Sequence, residues 1–138
     1  FSRGGGDEAV RMDSLVSKYM GGMTESEVRC NACGYSTSNR DKFFVLTLQL
    51  PERRTGAGRR VISLEECFEQ YERPQAINSW ACDKCQKREA TQTTRIITHP
   101  RTLIVHLARF EYHTGQRLKR SDDIAIPAAL HRPPPPAP

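Results

Sequence analysis

Hydrophobic positions are sparse along this chain, but where they cluster their period is readable. From about residue 9, Met12, Leu15, Val16, Tyr19 and Met20 recur at intervals of three and four, which predicts a short amphipathic helix with a core-facing stripe. Gly21-Gly22 predict its stop, because glycine accepts the left-handed backbone of a helix C-cap. Phe43 to Leu50 alternates like a strand. Phe44, Leu46, Leu48 and Leu50 fall on one side, Phe43, Val45, Thr47 and Gln49 on the other, and Pro51 ends the run. Ser63-Leu64-Glu65-Glu66 is a capping box, in which serine and the glutamate three residues on satisfy two backbone donors. Leu64, Cys67, Phe68 and Tyr71 then share one helix face, and Pro74 closes the helix. Thr91 to Thr98 predicts a strand and His99-Pro100-Arg101 a turn. Leu103 to Phe110 is almost continuously apolar, which predicts a strand buried on both faces, with His106 a hydrogen-bonded core residue. Ile124 to Pro127 is a last short extended piece.

The polar stretches predict less. Residues 1–8 are Gly-rich and are expected to be disordered, Glu52 to Arg60 to be a mobile basic loop, and Glu111 to Asp123 a loop. Arg132 and the prolines after it predict extended polyproline without a core.

Composition narrows the class. At 138 residues and 37% apolar, the chain is one domain long. The net charge of +5 is dispersed, with no run of five or six basic residues, which argues against a nucleic-acid-binding tail. No segment has the length or apolarity of a membrane span or signal peptide, so a reducing cytoplasmic or nuclear compartment is expected. The chain starts at Phe1 rather than Met, and a piece of a longer product is expected.

Four of the five cysteines form two Cys-x-x-Cys pairs, Cys30-Asn31-Ala32-Cys33 and Cys82-Asp83-Lys84-Cys85, with 48 residues between them. Four soft ligands on two tight turns are what a closed tetrahedral structural zinc site requires, so Cys30, Cys33, Cys82 and Cys85 are the candidate Zn2+ ligands. In a reducing compartment, metal is favoured over two disulfides, and a thioredoxin-like redox site would need a βαβ context that the pattern lacks. Cys67 sits in the apolar helix stripe and is expected to be a small buried hydrophobe. A cysteine peptidase needs a free thiol, a base in reach and a group to orient the base. With four thiols committed and the fifth in a core, no catalytic residue is assigned. His99, His113 and His131 fall in turns and loops.

In order, these pieces are similar to ubiquitin-specific proteases. Tyr19 to Gly34 resembles the segment leading into that family's first zinc knuckle, and Phe44 to Pro51 the strand after it. Ser63 to Phe68 resembles its "sleec" helix and Trp80 to Cys85 its second knuckle. Pro100 to Phe110 is close to its "P..L.IHL.RF" strand and Ile124 to Leu130 to its "v.fP..L" piece. The resemblance runs from about residue 14 to 130. It implies an α+β, papain-like fold, here a fragment comprising zinc-ribbon fingers and the antiparallel strands of part of the palm. The expected organisation is a disordered piece over 1–8, a partial protease domain over 9–130 and a proline-rich tail over 131–138.

The resemblance further implies a cysteine peptidase that removes ubiquitin from protein conjugates, the fingers gripping ubiquitin's globular body. Glu111 to Asp123 would correspond to a flexible loop beside the channel for ubiquitin's C-terminal tail. His106 is not at the family's catalytic histidine. The family's cysteine box would precede residue 1 and its histidine box would follow residue 130, so the chain alone is expected to be inactive. A catalytically dead ubiquitin-binding or scaffold zinc module is the alternative, and a basic zinc ribbon for nucleic acid ranks below both. Ubiquitin or ubiquitinated proteins are the expected partners, with neither nucleic acid nor membrane. Arg132, Pro135 and Pro138 also fit an Arg-x-x-Pro-x-x-Pro ligand for SH3 domains, a weak contact.

Overall fold

The computed structural model describes residues 14–52 and 58–132. The expectations for residues 1–8, for most of the Glu52–Arg60 loop and for the polyproline run therefore lie outside the described residues. The chain forms two compact units, residues 14–46 with 74–104, and residues 47–52 and 58–73 with 105–132.

The first unit opens with helix α1 (Leu15–Met20), whose N-cap Ser14 accepts from the Ser17 N–H at 3.1 Å. Its stripe was expected to face a core, but Leu15 is 72% exposed and Val16 53%. The six-residue helix buries none of its own side chains, so amphipathic spacing here marks an uncovered face. The glycines after it also differ from expectation. Gly21 has φ −76° rather than a left-handed value, and Gly22 begins strand β1 (Gly22–Cys30). Gly22 is instead needed for close approach, since a Cβ there would lie 2.3 Å from the Phe43 ring.

Strand β1 pairs antiparallel with β2 (Ser36–Phe43) along one edge and with β6 (Ala90–Thr98) along the other. Short β5 (Gln75–Ile77) completes the sheet on β6, giving the order β2-β1-β6-β5. The ribbon is polar on much of its surface. Thr24, Cys30, Ala90 and Ile96 are its buried side chains, while β2 has no buried residue. Ser26 and Thr94 share a hydroxyl hydrogen bond of 3.1 Å across the central pair of strands. Arg40–Glu25 at 3.0 Å and Arg95–Glu27 at 3.4 Å add exposed ion pairs. Such pairs contribute less than about 1 kcal/mol each, so the backbone ladder carries most of the ribbon's order.

In the second unit the capping box forms as expected. Ser63 Oγ accepts from the Glu66 N–H at 3.2 Å, and Glu66 accepts from the Ser63 N–H at 2.9 Å, starting helix α2 (Leu64–Glu72). Cys67 and Phe68 are fully buried with Ile62 and Leu48. Strand β3 (Val45–Gln49), most of it in this unit, pairs with β7 (Ile104–Ala108), and β4 (Val61–Ser63) pairs in parallel with β10 (Asp123–Ala125). Leu46, Leu48 and Leu50 are buried on one face as predicted, but Phe44 stands exposed in the break before β3.

Two expectations are corrected here. β7 is not buried on both faces, for Ile104 and His106 are exposed, and His106 Nδ1 lies 3.5 Å from Thr47 Oγ1 on an open surface. Among the described residues β7 pairs with β3 alone, so its apolar run is half covered. The Glu111–Asp123 stretch, read as a loop, is largely a hairpin of β8 (Phe110–His113) and β9 (Gln116–Lys119). Thr114 (φ 47°) and Gly115 (φ 79°) make the two-residue left-handed turn that right-twisted hairpins favour. Beneath the hairpin, buried Arg120 donates to Asp122 Oδ2 at 2.8 Å and to the Pro51 carbonyl at 2.6 Å.

Candidate metal centre

The first knuckle follows the last residue of β1 and the second precedes β6. Antiparallel pairing places those two strand ends side by side, with Cys30 opposite Ala90. The antiparallel ladder thereby spans the 48-residue separation in sequence.

Each knuckle is shaped by the same two backbone bonds. Gly34 N–H donates to the Cys30 carbonyl at 3.0 Å and Cys30 N–H to the Tyr35 carbonyl at 2.8 Å. Gln86 N–H donates to the Cys82 carbonyl at 2.9 Å and Cys82 N–H to the Lys87 carbonyl at 2.9 Å. The residue four beyond the first cysteine is left-handed in both, Gly34 at φ 78° and Gln86 at φ 61°. The turns are therefore near-copies, one with the residue type that conformation favours and one without it. Three contacts tie them together. Asn31 N–H donates to the Glu89 carbonyl at 2.9 Å, Thr91 Oγ1 donates to Asn31 Oδ1 at 2.9 Å, and Lys84 Nζ lies 5.1 Å from the Tyr35 ring centre.

All four predicted ligand residues converge. The Sγ atoms of Cys30, Cys33, Cys82 and Cys85 lie within 4.8 Å of one another, with Cys30–Cys85 and Cys33–Cys82 each at 3.5 Å. An ion bound tetrahedrally by thiolates at 2.3 Å sets sulfur–sulfur edges of about 3.8 Å, so the cluster has the size of such a site. All four are free thiols, too far apart for disulfide bonds. Cys30 and Cys82 are buried, Cys85 half-buried and Cys33 exposed, so the site opens to solvent on one side.

Electrostatics at the cluster favour a cation. The Cys33 and Ala32 N–H groups hold the Cys30 thiol down to about 6. The Lys87 N–H acts to lower the Cys85 thiol, but burial and the three neighbouring sulfurs push it up to about 12. Four thiolates this close repel unless a positive ion sits among them, and a bound dication deprotonates such ligands outright.

Among the described residues, no other cysteine, histidine or carboxylate joins the cluster. Cys67 is fully buried in the second unit, where burial, with the Glu66 charge behind it, raises its thiol pKa. That fits the small buried hydrophobe expected of it. The sequence reading missed the knuckle-shaping residues Tyr35, Gln86 and Lys87. Gly34 carries a visible signal, but Gln86 at the matching position carries none.

Comparison with known proteins accords with this geometry. The family profile described as "Ubiquitin carboxyl-terminal hydrolase" matches residues 5–132, and the chain belongs to that family. Ubiquitin carboxyl-terminal hydrolase 21 of Homo sapiens is 31% identical over 121 residues, covering 85% of this chain and 21% of the relative. Ubiquitin carboxyl-terminal hydrolase 4 of Saccharomyces cerevisiae is 29% identical over 117 residues, 82% of this chain and 12% of the relative. The chain thus spans about a fifth or less of the length of these relatives. Among solved structures, one of the SAGA DUB module bound to ubiquitin aldehyde superposes with a TM-score of 0.68 at 24% identity, over 83% of this chain and 25% of that one. A yeast SAGA DUB module structure gives 0.70 at 22% identity, over 91% and 29%. The fold is therefore that of ubiquitin-specific proteases, as the order of the motifs implies.

Proposed function

We propose that this chain forms the fingers and part of the palm of a ubiquitin-specific cysteine protease that removes ubiquitin from protein conjugates. The polar ribbon β2-β1-β6-β5 is the part that holds ubiquitin, and a structural Zn2+ on Cys30, Cys33, Cys82 and Cys85 fixes its tip. The convergence of those four sulfurs at the end of an antiparallel ribbon carries the reading, within a family match to residues 5–132. Zinc suits the site because it accepts four thiolates tetrahedrally and has no redox chemistry of its own. The solved relative with bound ubiquitin aldehyde supports ubiquitin as the partner. The cleavage chemistry would come from groups outside this chain, because its four exposed or clustered thiols are ligands and Cys67 is sealed.

Four free thiols suit a reducing compartment, the cytosol or nucleus. Among the described residues no helix is long and apolar enough to cross a membrane. An SH3 contact through Arg132 is the weaker partner reading. That arginine is ion-paired with Glu72 and lies 4.4 Å from the Phe68 ring, contacts an SH3 domain would have to displace.

The test is a titration of isotope-labelled ubiquitin with the metal-loaded 138-residue chain, alongside incubation with a ubiquitin–fluorophore amide. Saturable shifts on ubiquitin without hydrolysis are expected. An absence of shifts would overturn the ubiquitin grip, and hydrolysis by the chain alone would overturn the division of labour.

A further inference from the structure

We propose that the four-cysteine cluster is also an oxidation site, at which a peroxide-class oxidant joins the two knuckles through Cys33–Cys82 and Cys30–Cys85 disulfides. This goes beyond the metal reading and rests on it only for the statement that a bound ion is expelled.

Four cysteines permit three disulfide connectivities. The structure favours one of them. Two sulfur pairs that run across the knuckles, Cys30–Cys85 and Cys33–Cys82, each lie at 3.5 Å. A disulfide requires about 2.05 Å, so each pair closes by roughly 1.5 Å. Accessibility supplies the second argument. It disfavours the opposite crossed pairing, which would join buried Cys30 to buried Cys82, and leaves each 3.5 Å link with one solvent-facing residue, Cys33 or Cys85, and one buried one. Such a pairing suits the two stages of thiol oxidation, attack on an exposed thiolate and resolution by a sheltered neighbour.

The steps balance. The Cys33 sulfur attacks one peroxide oxygen, the O–O bond breaks, and a sulfenic acid forms with loss of water. The Cys82 sulfur then attacks the Cys33 sulfur, the S–OH bond breaks, and a second water leaves as the disulfide forms. Cys85 and Cys30 repeat the sequence with a second peroxide. Four thiols and two peroxides give two disulfides and four waters. If the thiolates hold a dication, four protons are taken up from solvent and the ion is released. The ribbon tips stay joined, so a metal clip is exchanged for a covalent one that a thiol reductant can undo. Fully buried Cys67 lies outside the cluster and stays reduced.

The experiment treats the folded 138-residue chain with hydrogen peroxide, before and after removal of metal by a chelator, and maps disulfides by tryptic digestion and tandem mass spectrometry. Lys84 separates Cys82 from Cys85, whereas Cys30 and Cys33 share one peptide, so the pairings are distinguishable. The expected product is the Cys30/Cys33 peptide linked to both partners, with fragmentation assigning Cys33–Cys82 and Cys30–Cys85. In a Cys33→Ser variant the Cys30–Cys85 link alone is expected. The same treatment in guanidinium is expected to scramble the pairings. Links within each knuckle, the opposite crossed pairing, or sulfinic and sulfonic acids alone in the folded chain would overturn the proposal. Metal content is read on the same sample before treatment. A chain purified without zinc would overturn the metal reading, while the disulfide map would still decide the oxidation.

Discussion

Gly34 and Gln86 occupy matching places in the two knuckles, both with positive φ, and a reciprocal pair of substitutions tests whether that turn limits the site. A Cβ built on Gly34 would meet nothing within 4 Å, so Gly34→Ala changes conformational energy without adding a clash. A left-handed residue with a side chain costs roughly 1–2 kcal/mol. Removing glycine's freedom from the unfolded chain returns about 0.4–1 kcal/mol. Gly34→Ala should therefore destabilise by about 0.5–1 kcal/mol, and Gln86→Gly should stabilise by a similar amount. At this chain length that corresponds to roughly 2–4 °C in melting temperature, in opposite directions. The assay is thermal unfolding of the metal-loaded chain, with competition against a chromophoric chelator as a second readout. Tighter metal retention by Gln86→Gly and weaker retention by Gly34→Ala are expected. If Gln86→Gly lowers both stability and retention, the two turns are not equivalent and the reasoning fails.

Three further outcomes are expected. Phe68→Ala, at a fully buried ring in the second unit, should cost about 3–5 kcal/mol in chemical denaturation, and a loss under 1 kcal/mol would contradict the core described. Arg120→Met removes the buried ion pair with Asp122 and should cost about 3–5 kcal/mol, with part regained in the Arg120→Met/Asp122→Leu double variant. An equal or larger loss in the double variant would show that the ion pair is not the cause. Protons compete with the metal for the thiolates, so metal retention should fall as pH falls from neutral, measured by dialysis against buffers of stepped pH; retention that improves on acidification would contradict thiolate ligation.

The sequence was most legible where chemistry is local. The capping box at Ser63 and the alternation of Leu46, Leu48 and Leu50 each depend on a few neighbouring residues and form as read, and the four cysteines of the two Cys-x-x-Cys pairs come together. Strands β1 and β2 were not legible. Residues such as Thr24-Glu25-Ser26-Glu27 and Ser36-Thr37-Ser38-Asn39 build a ribbon with little core, so no apolar alternation marks them. The β8–β9 hairpin was hidden for the same reason, its one local signal being Gly115 after Thr114. The stripe of α1 and the run Leu103 to Phe110 failed in the other direction. Their apolar residues read as buried, yet Leu15, Val16, Ile104 and Phe110 are open to solvent among the described residues. Periodicity reports which face seeks cover; it does not report whether cover is within reach.

The central claim is the metal that joins the two knuckles, and metal analysis of the 138-residue chain purified in chelator-free buffer tests it most directly. The account predicts about one zinc per chain, lost in Cys82→Ser. Less than about half an equivalent in the unsubstituted chain, or full zinc content in Cys82→Ser, would contradict it.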